Sequence, residues 1–167
     1  MQLFEFDSRT EAAQAAGRRI VSALHRQLEG SERASLVVSG GSTPAPVYAY
    51  LSHKEVAWHR VDILLSDERW VPPDHPDSNE RMLRESLATS KAEYARIVSY
   101  FDPACSLESR CVELDKEIGK LPQPFASVLL GMGADGHFAS LFPDADNVQD
   151  GLGLECASSF MPIHTPS

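Results

Sequence analysis

Asp135 and His137, two residues apart in a glycine-rich turn, are the side chains whose types and spacing best suit chemistry. The turn covers residues 131–137 (Gly-Met-Gly-Ala-Asp-Gly-His) and follows an apolar run, residues 125–130, that predicts a buried strand. Histidine is the side chain best suited to move a proton near neutral pH. His137 is therefore our first candidate for a catalytic residue, and a purely structural turn histidine stays open at this point.

A second glycine-rich segment, Ser-Gly-Gly-Ser-Thr-Pro at residues 39–44, follows a strand predicted over residues 34–38. The glycines let a ligand approach the backbone closely, and Pro44 suits the first position of a helix that Ser42 or Thr43 would cap. The free N–H groups at a helix N-terminus favour anions. The lysine and the spacing of a P-loop are absent, so the segment predicts either another kind of anion site or an ordinary strand-to-helix turn.

A third loop, Ser-Asp-Glu-Arg-Trp-Val-Pro-Pro at residues 66–73, follows a strand predicted over residues 61–65. Three charged residues at the end of a strand, followed by two prolines, favour a site loop over a surface ion cluster. Arg69 could bind a phosphate through two parallel hydrogen bonds, and Asp67 could bind a sugar hydroxyl or position a water molecule.

The rest of the chain supplies the elements that must hold these loops. Ser8 and Glu11 match a capping box at the start of a helix that Gly30 ends. Strands that alternate with helices predict an α/β fold: a three-layer, Rossmann-like, mostly parallel sheet with helices on both faces. The length fits one domain over residues 1–167. The other predicted elements are a helix with Met82, Leu83 and Leu87 that residues 77–79 would cap, an amphipathic helix over 106–119, and short strands over 2–6, 96–100 and 152–156.

Composition and charge narrow the function classes. A net charge of −9 argues against binding to nucleic acid or anionic membranes, because both favour basic surfaces. No segment approaches the roughly twenty apolar residues of a membrane span, and no signal-peptide pattern is visible, which predicts a cytoplasmic protein. Three cysteines without C-x-x-C spacing predict neither a disulfide framework nor a zinc site.

The turn also satisfies the dinucleotide-binding pattern G-x-G-x-x-G literally, at residues 131–136. That fingerprint normally opens the first strand–helix unit of a chain and leads into a full crossover helix. Here it comes late, and Pro143 stops the following helix after about two turns. A nicotinamide-dependent oxidoreductase is therefore disfavoured, although Glu155 lies near the distance expected of a ribose-binding acid.

Together the three loops resemble those of the 6-phosphogluconolactonase family, within the larger glucosamine-6-phosphate isomerase/deaminase-like group. The matching segments are residues 38–44, residues 66–71 with the later Ser-Asn at 78–79, and residues 131–143. Their order and separation match as well, and the resemblance covers about residues 10–145. The Asp-Glu-Arg and Ala-Ser-Leu-Phe-Pro segments look like those of the lactonase branch.

The resemblance implies hydrolysis of 6-phosphoglucono-δ-lactone to 6-phosphogluconate, without a metal or an organic cofactor. His137 would take a proton from the attacking water, and Asp135 would orient the imidazole or that water. Backbone N–H groups of the glycine turns, with Gly133 among the residues expected to contact substrate, would stabilise the oxyanion. The remaining implied contacts are the 6-phosphate at Gly40, Gly41, Ser42 and Thr43, positive charge from Arg69, and sugar hydroxyls at Asp67.

One feature departs from the family pattern: this sequence stops at Ser167, before the further strand and helices that family members carry. The predicted fold therefore lacks the family's C-terminal part. A glucosamine-6-phosphate deaminase or isomerase and a non-catalytic sugar-phosphate-binding module remain as alternative functions. The expected partner is a small sugar-phosphate lactone, and the expected state is a monomer or weak homodimer.

Overall fold

Four parallel strands form one sheet in the computed structural model of the chain, which describes residues 2–153, 155–156 and 158–164. In chain order they are β1 (Ala34–Val38), β2 (Val61–Leu65), β3 (Arg96–Ile97) and β4 (Ser127–Val128). Their spatial order is β3-β2-β1-β4, so β1 and β2 are central. In the register of the central pair, Ala34 lies opposite Val61 and Val38 opposite Leu65.

Helices connect the strands and pack against them. No helix in the described part of the chain is both long enough and apolar enough to cross a membrane. The predicted α/β class and parallel sheet are confirmed. The helices are α1 (Arg9–Gly30), α2 (Ala45–Ser52), α3 (Asn79–Ser86), α4 (Leu107–Ile118) and the short α5 (Val148–Leu152), with 3₁₀ turns at Trp58–Arg60 and Ser90–Tyr94.

The central strands coincide with the two predicted from apolar runs, and every residue of both is buried. Parallel strands covered on both faces need such continuous apolar sequence. Helix α1 packs Ile20 and Leu24 into the same core, and Ser8 caps it by accepting a hydrogen bond from the Glu11 N–H at 3.2 Å. The predicted capping position is therefore confirmed.

The amino-terminal ends of β1, β2 and β3 meet at an ion cluster around the buried Asp62. The carboxylate of Asp62 is fully buried and accepts two hydrogen bonds from Arg33, at 2.7 and 2.8 Å, and another from Arg96. Burial alone would raise the pKa of Asp62, but the two arginines outweigh it and lower that pKa below its ordinary value. The cluster joins the start of β1 to β2 and β3, because both arginines pair with the one carboxylate of Asp62.

The predictions fail at the edges of the sheet. Residues 2–6 form no strand; they are exposed, and the Phe4 ring lies 3.9 Å from the Arg19 guanidinium instead. The apolar run 125–130 contributes only β4, and Val128 is exposed, so the prediction of a buried strand there is wrong. The strand predicted over 152–156 is also wrong where it is described, since Leu152 ends α5; Leu154 lies outside the described residues.

Candidate active site

The three predicted loops meet at the carboxyl ends of the strands, around a cleft of about 840 Å³. In open α/β sheets this is the edge where ligands bind. Among the described residues, no three His, Cys, Asp or Glu side chains converge as a metal site would require. Two predicted residues, Ser42 and Asp135, lie outside the lining of the cleft. Those that line it are Gly40, Gly41, Thr43, Asp67, Arg69, Gly133 and His137.

Asp135 and His137 form a hydrogen-bonded dyad. Nδ1 of His137 lies 2.6 Å from Oδ1 of Asp135, which also accepts the His137 backbone N–H at 3.3 Å. The hydrogen bond from His137 lowers the pKa of Asp135. Because the carboxylate accepts from Nδ1–H, the basic nitrogen is Nε2, which has no hydrogen-bond partner in the described part of the chain. The His137 side chain is 30% exposed, so it can reach a bound ligand.

The shape of the turn depends on its glycines. The Gly133 N–H donates to the His137 carbonyl at 2.8 Å, and the Gly136 N–H donates to the Gly133 carbonyl at 3.0 Å. Gly136 has a φ of 88°, which other residues rarely adopt. A Cβ atom on Gly133 would lie 2.3 Å from the His137 ring and 2.6 Å from Oδ1 of Asp135. Gly133 therefore leaves the space that the dyad occupies.

Ser140 links the dyad turn to the Asp67 loop. Its hydroxyl donates to Oδ2 of Asp67 at 2.7 Å, while Oδ1 of Asp67 accepts from the Ser66 hydroxyl at 2.8 Å. The preceding residue, Ala139, has a φ of 49°, in the left-handed region that costs a non-glycine residue free energy. This left-handed residue directly precedes Ser140, which makes the contact with Asp67. Two hydroxyls thus hold the Asp67 carboxylate and leave its negative charge in place.

Glu68 anchors the same loop to helix α3. Its carboxylate accepts the backbone N–H groups of Asn79 and Glu80, at 2.8 and 2.7 Å, and the Ser78 hydroxyl at 3.1 Å. A carboxylate at a helix N-terminus satisfies free N–H groups and complements the helix dipole. Residues 77–79 are predicted from the sequence to cap this helix, but Glu68 is not, because no spacing rule connects a residue to a helix that begins eleven positions later.

Asn79 connects the Asp67 loop, residues 66–73, to the glycine loop, residues 39–44. Its Nδ2 donates to the Asp67 carbonyl at 3.0 Å. A Cβ atom on Gly40 would lie 2.1 Å from the Asn79 Oδ1, so the backbone at position 40 can pass the asparagine only as glycine. The buried Asn79 side chain thereby fixes the distance between the two loops.

Three residues of the glycine loop, Gly40, Gly41 and Thr43, line the cleft. Gly41 has a φ of 85°, as its glycine allows. In the described part of the chain, the N–H groups of residues 40–43 donate to no other group. The predicted cap by Ser42 or Thr43 is wrong: Pro44 is the N-cap of α2, and no side chain caps the helix. Pro44 already has helical backbone angles, and its carbonyl accepts from Val47 at 2.8 Å.

Arg69 is the cationic side chain of the cleft with spare donors. One Nη1 hydrogen bond goes to the Asp77 carbonyl at 2.7 Å, and the side chain is exposed. The other arginine of the lining, Arg110, donates to the Ser99 and Tyr100 carbonyls and to Glu113. Because the donors of Arg110 are taken by protein acceptors, Arg69 has the greater capacity to bind an anion.

Two buried tyrosines fix the strand ends from which the loops leave. The Tyr48 hydroxyl donates to the Ser39 carbonyl, just after β1, and the Tyr100 hydroxyl donates to the Leu65 carbonyl, at the end of β2. Burial raises the pKa of both tyrosines, so both hydroxyls keep their protons. The apolar periodicity marks these residues as core and gives no signal for the hydrogen bonds.

Comparison with known proteins relates the chain to one family. A sequence model of the family described as glucosamine-6-phosphate isomerases/6-phosphogluconolactonase matches residues 7–166. The chain is 36% identical to a 6-phosphogluconolactonase of Pseudomonas aeruginosa over 96% of its own length and 67% of the relative's. It is 37% identical to one of Mesorhizobium japonicum, over 97% of the chain and 68% of that protein.

A solved structure gives the same result. The crystal structure of a 6-phosphogluconolactonase from Shewanella baltica superposes with a TM-score of 0.84 at 37% identity. The match covers 90% of this chain and 64% of that one. The chain therefore spans about two thirds of the length of the relatives that it matches.

Proposed function

Because the chain belongs to the glucosamine-6-phosphate isomerase/6-phosphogluconolactonase family, we propose that it hydrolyses 6-phosphoglucono-δ-lactone to 6-phosphogluconate. The observation that carries the proposal is the Asp135–His137 dyad, whose free Nε2 belongs to a side chain lining the same cleft as the glycine loop and Arg69. A proton acceptor and an anion site in one cleft are what hydrolysis of a phosphorylated lactone needs.

The 6-phosphate binds at the start of α2. The free N–H groups of residues 40–43 supply hydrogen-bond donors, and the hydroxyls of Ser42 and Thr43 can add to them. Arg69 supplies the positive charge that a dianion needs in a protein of net charge −9. Asp67, oriented by two serine hydroxyls, accepts hydrogen bonds from the sugar hydroxyls.

Chemistry takes place at the other end of the substrate, beside His137. Water attacks the lactone carbonyl carbon while Nε2 takes a proton from that water, and a tetrahedral oxyanion forms. When the intermediate collapses, the bond to the ring oxygen breaks and the imidazolium returns its proton to that oxygen. The Asp135 carboxylate stabilises the imidazolium and holds the ring, as the Nδ1 hydrogen bond indicates.

The role of Gly133 is to leave room for the dyad, more than to donate a backbone hydrogen bond to the substrate. Its N–H already donates to the His137 carbonyl, so the donors for the oxyanion belong to other backbone groups of the loops. The absent Cβ of Gly133 leaves room for the imidazole and the carboxylate. Its contribution to the reaction is therefore to permit the dyad geometry.

The direct test is to measure hydrolysis of freshly generated 6-phosphoglucono-δ-lactone in the presence and absence of this chain. We expect hydrolysis well above the spontaneous rate and no ammonia release from glucosamine 6-phosphate. Ammonia release would identify a deaminase instead. Binding of 6-phosphogluconate in calorimetry without any acceleration of lactone hydrolysis would overturn the proposal in favour of a non-catalytic binding module.

A further inference from the structure

Ser39, which connects β1 to the glycine loop, carries a buried hydroxyl without a partner. The residue is 6% exposed, and its Oγ is the one buried side-chain nitrogen or oxygen in the described part of the chain that lacks a hydrogen bond. A buried hydroxyl that loses its bonds to water and gains none costs free energy, so native structures rarely keep one. Such a group in a cleft indicates a partner that arrives from outside.

The other buried serines show that Ser39 is different. The Ser35 hydroxyl donates to the Pro122 carbonyl at 2.7 Å, that of Ser52 to the Ala49 carbonyl at 3.0 Å, and that of Ser78 to Glu68. The backbone of Ser39 is not free to rearrange, because its carbonyl accepts from the buried Tyr48 hydroxyl. The Tyr48 contact therefore holds the backbone from which the unsatisfied hydroxyl extends.

The hydroxyl lies between the two halves of the cleft. Ser39 lines the cleft, directly before the N–H groups of Gly40 and Gly41. Its Oγ is 3.9 Å from the position that a Cβ on Gly131 would take, and it is the one atom outside residues 130–132 that such a Cβ would meet within 4 Å. Gly131 opens the turn that carries His137. The absent side chain of Gly131 therefore leaves a methyl-sized space near the hydroxyl, on the side of the turn that carries His137.

We propose that Ser39 is a substrate-binding residue whose hydroxyl donates a hydrogen bond to an oxygen of the bound sugar phosphate. The inference rests on the proposed function, since it assigns a further contact to the same site. A phosphate oxygen and a sugar oxygen offer the same acceptor chemistry, and either one satisfies the buried donor. Ser39 makes no covalent bond in this role and exchanges no proton.

The test compares Ser39→Ala with the matched variant Ser35→Ala, which removes a buried hydroxyl that has an internal partner. We expect Ser39→Ala to weaken 6-phosphogluconate binding roughly three- to tenfold in calorimetry, without lowering Tm. Ser35→Ala should lower Tm by about 2–4 °C and leave the Kd of the folded protein unchanged.

The same calorimetry with inorganic phosphate and with gluconate identifies the acceptor. Weaker binding of phosphate by Ser39→Ala assigns a phosphate oxygen, and weaker binding of gluconate assigns a sugar oxygen; either result supports the inference. An unchanged Kd for 6-phosphogluconate, or a Tm as low as that of Ser35→Ala, would overturn it. If the wild-type chain neither binds 6-phosphogluconate nor hydrolyses the lactone, the proposed function itself fails; if only the Ser39→Ala effect is missing, the function stands.

Discussion

Asp62 and Asp67 lie at opposite ends of the same strand, and the protein holds the two carboxylates in contrasting ways. Asp62, at the amino-terminal end of the sheet, is fully buried and accepts its hydrogen bonds from two arginines. Asp67, just after the carboxyl end of β2, is half-buried and accepts from the hydroxyls of Ser66 and Ser140.

The difference separates a structural cluster from a site. Around Asp62 two arginines pair with the one carboxylate, so its negative charge is fully engaged within the protein. Around Asp67 the hydroxyls fix the carboxylate without cancelling its charge, and Arg69 and His137 keep unused polar atoms in the described structure. Asp62 and Asp67 have the same side chain and the same charge, so only their hydrogen-bond partners distinguish the two roles.

The largest effect should come from His137→Ala. We expect lactone hydrolysis above the spontaneous rate to fall by about 10²- to 10⁴-fold, because the general base is lost. Tm should change little, since the ring is partly exposed and its one side-chain hydrogen bond in the described structure goes to Asp135.

His59→Ala is the matched control for that variant. His59 is exposed at the amino-terminal end of β2, on the side of the Asp62 cluster. Its loss should leave both activity and Tm near the wild-type values. Equal activity of His137→Ala and His59→Ala would remove the distinction between the two ends of the sheet.

Replacing Asp62 should have the second-largest effect, and on stability. We expect Asp62→Ala to lower the free energy of unfolding by about 2–3 kcal/mol, less than for a fully buried pair because Arg33 and Arg96 still reach water. Its kcat at a temperature where it stays folded should be unchanged. Denaturant unfolding and steady-state kinetics of the same preparation measure both.

The opposite pattern is expected of Asp67→Asn, which should lose activity with little change in stability.

Acid unfolding gives a second measurement of the contribution of Asp62 to stability. The pKa of Asp62 is lowered by folding, so its stabilising contribution is present above the unfolded value near 4 and is lost as pH falls below it. Asp62→Asn should therefore show a shallower loss of stability than the wild type as pH falls below about 4. A parallel loss in both proteins would contradict the role given to the cluster.

The smallest of the expected effects concerns Gly133→Ala. A Cβ there would lie 2.3 Å from the His137 ring, so the imidazole must shift and kcat should fall by roughly tenfold or more. The control, Gly30→Ala at the end of α1, adds a Cβ with nothing within 4 Å and should leave kcat unchanged. An active Gly133→Ala enzyme would show that the dyad tolerates displacement.

The central strands and the three loops could be predicted from the sequence because their signals are local. The continuous apolar runs at 34–38 and 61–65 have one good structural explanation, a strand buried on both faces. The chemistry of the loops was visible in the residue types that follow those strands. Convergence of the loops then follows from parallel topology, since the carboxyl ends of neighbouring strands share one edge.

The parts that could not be predicted depend on partners far apart in the chain. Ser140 binds Asp67 across 73 positions, and the Tyr100 hydroxyl reaches the Leu65 carbonyl across 35. The apolar run at 125–130 misled for a related reason: burial of an edge strand depends on what lies beside it, which the run itself does not encode. The single domain over residues 1–167, the cytoplasmic location and the oligomeric state stay predictions.

The tyrosine hydroxyls that hold the strand ends give the protein an alkaline limit. A phenol donates a hydrogen bond to a carbonyl only while it keeps its proton, and folding raises the pKa of Tyr48 and Tyr100. In the unfolded chain these phenols ionise near pH 10, so above that pH the unfolded state binds fewer protons than the folded one. Strongly basic solution therefore favours unfolding, because an ionised phenol of the unfolded chain cannot form the contact that holds a strand end beside the cleft.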